Sequence, residues 1–260
     1  MPSQSPPGAM PLTVAPRASA PRGYRALVLG YSPLWMAVVA AAMWSGALSR
    51  WSDAEFLVLG VGLSLPPLLA PLLLPGERAR PLGARWGVRF QVVNAITVLL
   101  QSALGAQLFF HRLGMEYHFP VRLQLLGTPV FLYFLTVAYF STYYVVMLAV
   151  LGAAARRFPS APPLLRRLGR AALCYAVAFG ETWFMATPGM REWFRYRDVG
   201  FMLAVGSAAY GSLFLCTLPA YERLDDAPPP SLGALALGAL WANALALAVY
   251  LALALVVTPR

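Results

Sequence analysis

The chain has no lysine, only two cysteines and two histidines, and few charged residues for its length. Charged residues make up 12% of the 260 positions, whereas an ordinary soluble domain has about a quarter. This deficit excludes a soluble enzyme with a charged surface, and a hydrophobic content of 59% excludes a disordered chain. The missing lysine excludes a Schiff-base retinal protein and a lysine-dependent phosphate loop. Because Cys174 and Cys216 lie within apolar segments, no disulfide framework or thiolate metal site is predicted.

Long apolar runs fill most of the chain, and its mean hydropathy is +0.63. A membrane-spanning helix needs about 20 apolar residues, and 59% of 260 positions is enough for about seven. The runs do not alternate in polarity, so helices are predicted rather than a barrel. The sequence therefore predicts an all-α polytopic membrane helix bundle with about seven transmembrane helices. The predicted spans are residues 26–48, 54–75, 88–110, 127–151, 168–187, 199–218 and 232–256. Residues 1–25, rich in Pro, Ser and Ala, are predicted to be a disordered tail before a single transmembrane domain at 26–258.

All 20 basic residues are arginine, and the net charge is +10. Most of these arginines lie in short loops between apolar runs, where they are expected to touch membrane lipids rather than nucleic acid. With seven spans, thirteen arginines lie on the side of the N-terminus and seven on the other. This bias predicts a multi-pass integral membrane protein with a cytoplasmic N-terminus, in the inner membrane if the source is bacterial. Nothing in the sequence indicates the oligomeric state.

Glu181 is the one carboxylate that falls inside a predicted span rather than in a loop or at a span end. An ionisable group at that depth costs several kcal/mol, at least about 2.5–3.5 for Asp, so it needs a reason. One hypothesis is a neutral carboxylic acid that donates a proton, and the alternative is a hydrogen bond between helices.

Further polar and aromatic groups enter the third and fourth spans. Asn94, Thr97 and Gln101 are spaced to share one helical face, where they either join helices or line a polar part of a pocket. The aromatic residues of span 4 either pack in the core or stabilise a flat or cationic ligand, and they are Tyr133, Tyr139, Phe140, Tyr143 and Tyr144. The two histidines bracket Glu116 at a spacing that is not typical of metal ligands, so no metal is predicted.

Motifs for hydrolases, metalloproteases, nucleotide binding and metal-diphosphate chemistry are missing from the sequence. Redox-neutral chemistry on an apolar molecule therefore remains, or binding without chemistry.

Several segments occur in the order found in one family. They are Tyr31-Ser-Pro-Leu-Trp35, Glu55-Phe-Leu57, Phe109-Phe-His-Arg-Leu-Gly-Met-Glu-Tyr-His-Phe-Pro120, the pair Glu181-Thr182, Asp198, and Pro219 with Arg223 and Asp225. Over most of residues 24–256 the chain resembles the cycloeucalenol cycloisomerases, which isomerise cyclopropyl sterols. It differs at Gln107, Val137 and Tyr144, where the family pattern has histidines.

The resemblance implies a sterol or triterpenoid substrate whose 9β,19-cyclopropane is opened by protonation, with loss of a proton from C8 to give a Δ8-sterol. Because nothing is oxidised, no cofactor is expected. Glu181 is the predicted acid, with Asp198 or a tyrosine, Tyr144, completing the proton path. The predicted substrate-binding residues are Asn94, Gln101, Gln107, Tyr117, Tyr133, Phe140 and Tyr143. Two alternatives stay open: an acid-initiated membrane terpenoid cyclase, and a non-catalytic sterol-binding membrane protein.

Overall fold

The computed structural model describes residues 22–257, so most of the predicted tail lies outside the described residues. These residues form an all-α bundle, which confirms the predicted fold class. Its helices are α1 (Arg22–Trp44), α2 (Asp53–Leu73), α3 (Pro75–Arg78), α4 (Trp86–Leu100), α5 (Ala106–His111), α6 (Val130–Arg157), α7 (Pro163–Met185), α8 (Val199–Phe201), α9 (Ser207–Glu222) and α10 (Leu232–Val256). The first helix begins four residues before the predicted start of its span.

Two π-helical turns join short helices into longer rods. The turn at Gln101–Gly105 connects α4 to α5, and the turn at Met202–Gly206 connects α8 to α9. The described residues therefore contain seven long rods: α1, α2, α4 with α5, α6, α7, α8 with α9, and α10.

Six of these rods are long and apolar enough to cross a membrane, so the chain is a multi-pass membrane protein. The exception is α7, whose sequence includes Arg166, Arg167, Arg170 and Glu181. It nevertheless runs the length of the bundle. Arg170, near its start, pairs with Glu222 at the end of α9, and its far end leads into the loops at the opposite side.

One end of the bundle is rich in arginine and is held by ion pairs. The Arg25 guanidinium lies 2.6 Å from the Asp225 carboxylate and over the ring of Trp86. The indole nitrogen of Trp86 donates a second hydrogen bond to Asp225. These contacts connect the start of α1, the start of α4 and the segment that follows α9.

The opposite end is closed by short strands from two loops. Strand β1 (Met115–Tyr117) pairs in antiparallel fashion with β4 (Phe194–Tyr196), although 76 or more positions separate them in the chain. A second small pair joins β2 (Gln124–Leu125) to β3 (Thr128–Pro129). Arg197 and His118 both pair with Glu116, at 2.7 and 3.4 Å.

Three prolines within α2 each leave one carbonyl group without a helical partner, because proline has no N–H to donate to the residue four positions earlier. Pro67 frees the carbonyl of Leu63, which accepts from the Tyr31 hydroxyl at 2.9 Å. Pro71 frees the carbonyl of Pro67, which accepts from the Tyr24 hydroxyl at 3.0 Å. Two tyrosines of α1 thus satisfy two of the three carbonyl groups that the prolines free, in keeping with the need to pair backbone groups in a membrane.

Helices α2 and α6 pack closely because Gly60 has no side chain. A Cβ atom at this position would lie 2.5 Å from the carbonyl oxygen of Phe131. At Gly62, two positions later, the same atom would meet nothing within 4 Å. The closely packed helices α2 and α6 form part of the wall of the cavity described below.

Candidate functional site

A cavity lies among the helices in the half of the bundle nearest the β1–β4 pair. It encloses about 1270 Å³ of space not filled by atoms, its open mouth included. All seven rods contribute to its wall, and loop residues such as Phe119 and Met190 close one side. Ligand sites in proteins are concave, mostly apolar and supplied with a few polar groups, and this cavity has that character.

Glu181 on α7 lines the cavity and is its only carboxylate among the described residues. The hydroxyl groups of Tyr143 on α6 and Tyr210 on α9 lie close enough to interact with its carboxyl group. The second carboxyl oxygen, Oε2, is buried and has no hydrogen-bond partner. A buried polar atom without a partner is rare in folded proteins and needs an explanation, and here it belongs to a residue that lines a cavity.

Aromatic rings surround Glu181 on the cavity wall. The rings come from five helices, two strands and one loop, and they are Phe56, Phe109, Tyr117, Phe119, Phe131, Tyr139, Phe140, Phe194, Tyr196, Tyr210 and Tyr250. Burial raises the pKa of Tyr117 and Tyr196, and the nearby Glu181 raises it further, so both phenols stay protonated. Ring faces attract positive charge, and the wall is therefore suited to a flat apolar molecule or to a cation.

Both π-helical turns lie at the cavity. Gln101, Ser102 and Gly105 line it from the first turn, and Met202 lines it from the second. Each turn ends in a glycine that leaves room for the turn's own first side chain. A Cβ atom at Gly105 would collide with Gln101 Oε1, and one at Gly206 would collide with the thioether of Met202. Such turns occur often at functional sites because they redirect side chains.

Three of the unpartnered buried polar atoms belong to residues that line this cavity. Besides Glu181 Oε2, they are Gln101 Oε1 and the Tyr250 hydroxyl. The other such atoms in the described residues do not belong to the cavity wall, and they are on Arg25, Glu77, Arg89 and Ser207. Residues from three of the rods thus each bring one unpartnered polar atom to the cavity region.

The structure brings together about half of the site residues predicted from sequence. Glu181, Gln101, Tyr117 and Phe140 line the cavity, and Tyr143 reaches the Glu181 carboxyl group from α6.

Asn94 lies instead in a buried polar network between helices. Its amide nitrogen is bonded to Gln91, the Val137 carbonyl and Ser141, and its oxygen accepts from the Tyr221 hydroxyl at 3.2 Å. Gln91 extends the network to Tyr24 on α1. Asn94 thereby joins α4 to α6 and α9, and it is not on the cavity wall.

The remaining four predicted residues also lie away from the cavity wall. Asp198 caps α8 by accepting a hydrogen bond from the Phe201 backbone at 2.9 Å. Tyr144 is fully buried, stacks on Tyr221 with ring centroids 3.6 Å apart, and shares a hydrogen bond with Thr217. Gln107 and Tyr133 bond backbone carbonyls of the β2–β3 loop.

Several residues of the cavity wall were not predicted from sequence. Tyr210 and Tyr250 are single tyrosines in the last two apolar runs, and a lone phenol in such a run is the signal that could have identified them. Methionines from five elements also line the wall, and they are Met43, Met115, Met185, Met190 and Met202. Their flexible thioethers adapt to irregular apolar surfaces.

Fold and cavity together define a multi-pass membrane protein with a buried ligand cavity around one carboxyl group. No protein-family model and no solved structure matches the chain. The chain is similar to cycloeucalenol cycloisomerase of Arabidopsis thaliana, with 26% identity over 207 residues, which are 76% of this chain and 72% of the relative. This similarity confirms the resemblance deduced from the ordered motifs, at the level of a divergent relative.

Proposed function

We propose that the protein is a membrane-embedded sterol isomerase that opens a cyclopropane ring, with Glu181 as the acid. The observation that carries this proposal is Glu181 itself: the only carboxylate on the cavity wall among the described residues, with one buried oxygen unpartnered. The similarity to cycloeucalenol cycloisomerase supports a cyclopropyl sterol as substrate.

The reaction needs one proton delivered and one removed. Glu181 donates a proton to C19 of the 9β,19-cyclopropane, the C9–C19 bond breaks, and C19 becomes a methyl group. The positive charge left at C9 is lost when C8 gives up its proton and the C8–C9 double bond forms. Protons and electrons balance, so the product is an isomer of the substrate.

A cyclopropane is a weak base, so the acid must be well placed in a site that excludes water. The apolar wall and the burial of Glu181 Oε2 supply such a setting. The rings around the carboxyl group stabilise the carbocation through their π-electrons. The same arrangement would serve other acid-initiated reactions, so the substrate class rests on the similarity.

We assign the removal of the C8 proton to the Glu181 carboxylate as well. Asp198 and Tyr144 do not line the cavity and are left out of this proton path. The hydroxyl groups of Tyr143 and Tyr210 interact with the carboxyl group, where they stabilise the carboxylate between the two steps and relay the proton lost from C8 to it.

The test is a ring-opening assay on membranes that contain the protein, with cycloeucalenol-type and cycloartenol-type sterols and with Δ8 products identified by mass spectrometry. Glu181→Gln should lower turnover by about 10²–10⁴-fold, the usual contribution of general acid–base catalysis. Glu192→Gln, an exposed loop carboxylate, is the matched control and should retain activity. Undiminished turnover by Glu181→Gln would refute the role of Glu181.

Wild-type protein that binds these sterols without converting them would instead indicate a non-catalytic sterol-binding protein. Cyclised products from an acyclic or partly cyclised terpenoid would indicate the cyclase alternative.

We further infer that the arginine-rich end of the bundle faces the cytoplasm, because arginine-rich loops are retained there. In sealed vesicles of known orientation, a cysteine introduced at Glu192 should react with an impermeant maleimide from the external side. Labelling only from the cytoplasmic side would reverse the orientation.

A further inference from the structure

The amide of Gln101 is held in one orientation by a chain of hydrogen bonds. The Thr97 hydroxyl donates to the Val93 carbonyl at 2.9 Å, so its oxygen is left to accept from Asn243 Nδ2 at 3.1 Å. Asn243 Nδ2 also donates to the Ala239 carbonyl. Asn243 therefore presents Oδ1 to Gln101, whose Nε2 donates to it at 2.9 Å.

It follows that the free end of the Gln101 amide is the oxygen. Turning the amide over would place two oxygens against each other and lose the bond to Asn243. Gln101 lines the cavity and is 6% exposed, and its buried Oε1 has no partner. The cavity wall thus holds one hydrogen-bond acceptor that requires a donor from outside the protein.

The Tyr250 hydroxyl is the second unpartnered group at this part of the wall. Tyr250 is 4% exposed, and its ring and Gln101 Oε1 are the neighbours that a side chain at Gly105 would meet. Gln101 Oε1 and ring carbon Cε2 of Tyr250 therefore both lie next to the same face of Gly105. A phenol can donate a hydrogen bond, so the pair offers one acceptor and one donor.

Two aromatic rings, those of Phe109 and Tyr210, connect Tyr250 to the acid. Phe109 packs edge-on against Tyr250, with centroids 5.7 Å apart, and against Tyr210, with centroids 6.2 Å apart. Tyr210 in turn lies beside the Glu181 carboxyl group. A ligand in the cavity therefore meets two polar places, one at Glu181 and one at Gln101 and Tyr250, with apolar surface between them.

We propose that Gln101 and Tyr250 form a binding subsite for an alcohol group of the ligand, which donates to Gln101 Oε1 and accepts from the Tyr250 hydroxyl. This proposal rests on the proposed function for the choice of ligand: the ring hydroxyl of the sterol occupies the subsite while the cyclopropane lies at Glu181. A ketone in the same place satisfies Tyr250 but leaves Gln101 without a donor.

The test measures equilibrium binding to the purified full-length protein in lipid nanodiscs, with three forms of one cyclopropyl sterol: the 3-alcohol, the 3-ketone and the 3-deoxy compound. Wild-type protein should bind the alcohol most tightly, then the ketone, then the deoxy compound. Each step should be about three- to tenfold, the size of one net hydrogen bond.

The variants separate the two groups. Tyr250→Phe should weaken the binding of the alcohol and of the ketone by about three- to tenfold each, and the affinity for the deoxy compound should not change. Gln101→Leu should weaken the binding of the alcohol alone. Tyr133→Phe, which removes a hydroxyl that bonds a backbone carbonyl outside the cavity, is the matched control and should change none of the three affinities.

A structural role for Tyr250 or Gln101 would weaken all three ligands equally, and that result would overturn the proposal. Equal affinity of the wild-type protein for the three compounds, or failure of all three to bind, would overturn it too. Because Tyr250→Phe removes a hydroxyl that has no protein partner, its unfolding temperature should not fall.

Binding does not depend on ring opening, so the two proposals can fail separately. Alcohol preference without turnover would uphold the subsite and refute the isomerase reaction. Turnover without alcohol preference would do the reverse.

Discussion

Two polar regions lie between the helices, and they differ in whether their groups are satisfied. Around Asn94, the side chains of Gln91, Ser141, Tyr24 and Tyr221 bond one another, and none of them has a buried atom without a partner. Around the cavity, Glu181, Gln101 and Tyr250 each keep one unpartnered atom. Polar groups in a membrane bundle either join helices or bind a ligand. The two cases are distinguished by whether the buried polar atoms have hydrogen-bond partners within the protein.

Substitutions in the two regions should therefore affect the stability of the protein differently. Removing a group from the satisfied network leaves its partners unpaired, which costs about 1–3 kcal/mol for each buried polar group. Removing the charge-bearing group of the cavity takes away a functional feature that does not hold the fold together.

The largest effect on stability is expected for Asn94→Leu. It removes the partner of the Tyr221 hydroxyl and a donor to Gln91 Oε1. The free energy of unfolding in mild detergent should fall by about 1–3 kcal/mol, measured by denaturant titration. An unchanged value would mean that this network does not hold the helices together.

Glu181→Gln, in contrast, should change the stability of the protein little. The amide keeps the shape of the side chain and loses only the ability to ionise, so the free energy of unfolding should stay within about 0.5 kcal/mol or rise. The same titration measures it. A loss as large as that of Asn94→Leu would place Glu181 among the residues that join helices and would weaken the distinction between the two regions.

The smallest effect concerns the loops that close the cavity. The hydrogen bond from Arg197 is the main cause that lowers the pKa of Glu116 below its ordinary value. A lowered folded-state pKa stabilises the paired loops above the usual pKa of a glutamate, about 4.3, and this contribution is lost as the pH falls through the folded-state value. Amide exchange in β1 and β4 should therefore quicken below about pH 4 relative to a neutral-pH extrapolation.

Glu116→Gln is the matched variant for that experiment and should remove the acid-dependent step. If wild type and variant respond to acid alike, the Glu116–Arg197 pair does not hold the two loops together.

The fold class and Glu181 could be predicted from the sequence for the same reason, because a single carboxylate is easily recognised within long apolar runs. The shared helical face of Asn94, Thr97 and Gln101 could also be predicted. That its residues belong to two different polar regions could not. The structure assigns Asn94 to the satisfied network, while the π-helical turn that begins at Gln101 leaves Gln101 on the cavity wall.

Two further features could not be predicted from the sequence because they depend on contacts between residues far apart in the chain. Tyr210 and Tyr250 meet the cavity only when α9 and α10 pack against α4 and α7, and no local pattern encodes that packing. The pairing of β1 with β4 likewise joins two loops whose sequences look unrelated. Its role in closing the cavity follows only from the arrangement of the helices.

The most direct test of the central claim, that Glu181 protonates the ring, is ring opening in D₂O. In a single turnover, with protein equilibrated in D₂O and in excess over the sterol, the Δ8-sterol should carry one deuterium in the newly formed methyl group, located by mass spectrometry or NMR. The single turnover is needed because Glu181 takes up the C8 proton of the substrate and could deliver it to the next molecule. Glu181→Gln should lose this labelled product while the Glu192→Gln control retains it. A Δ8 product formed without deuterium, or formed equally by Glu181→Gln, would contradict the account.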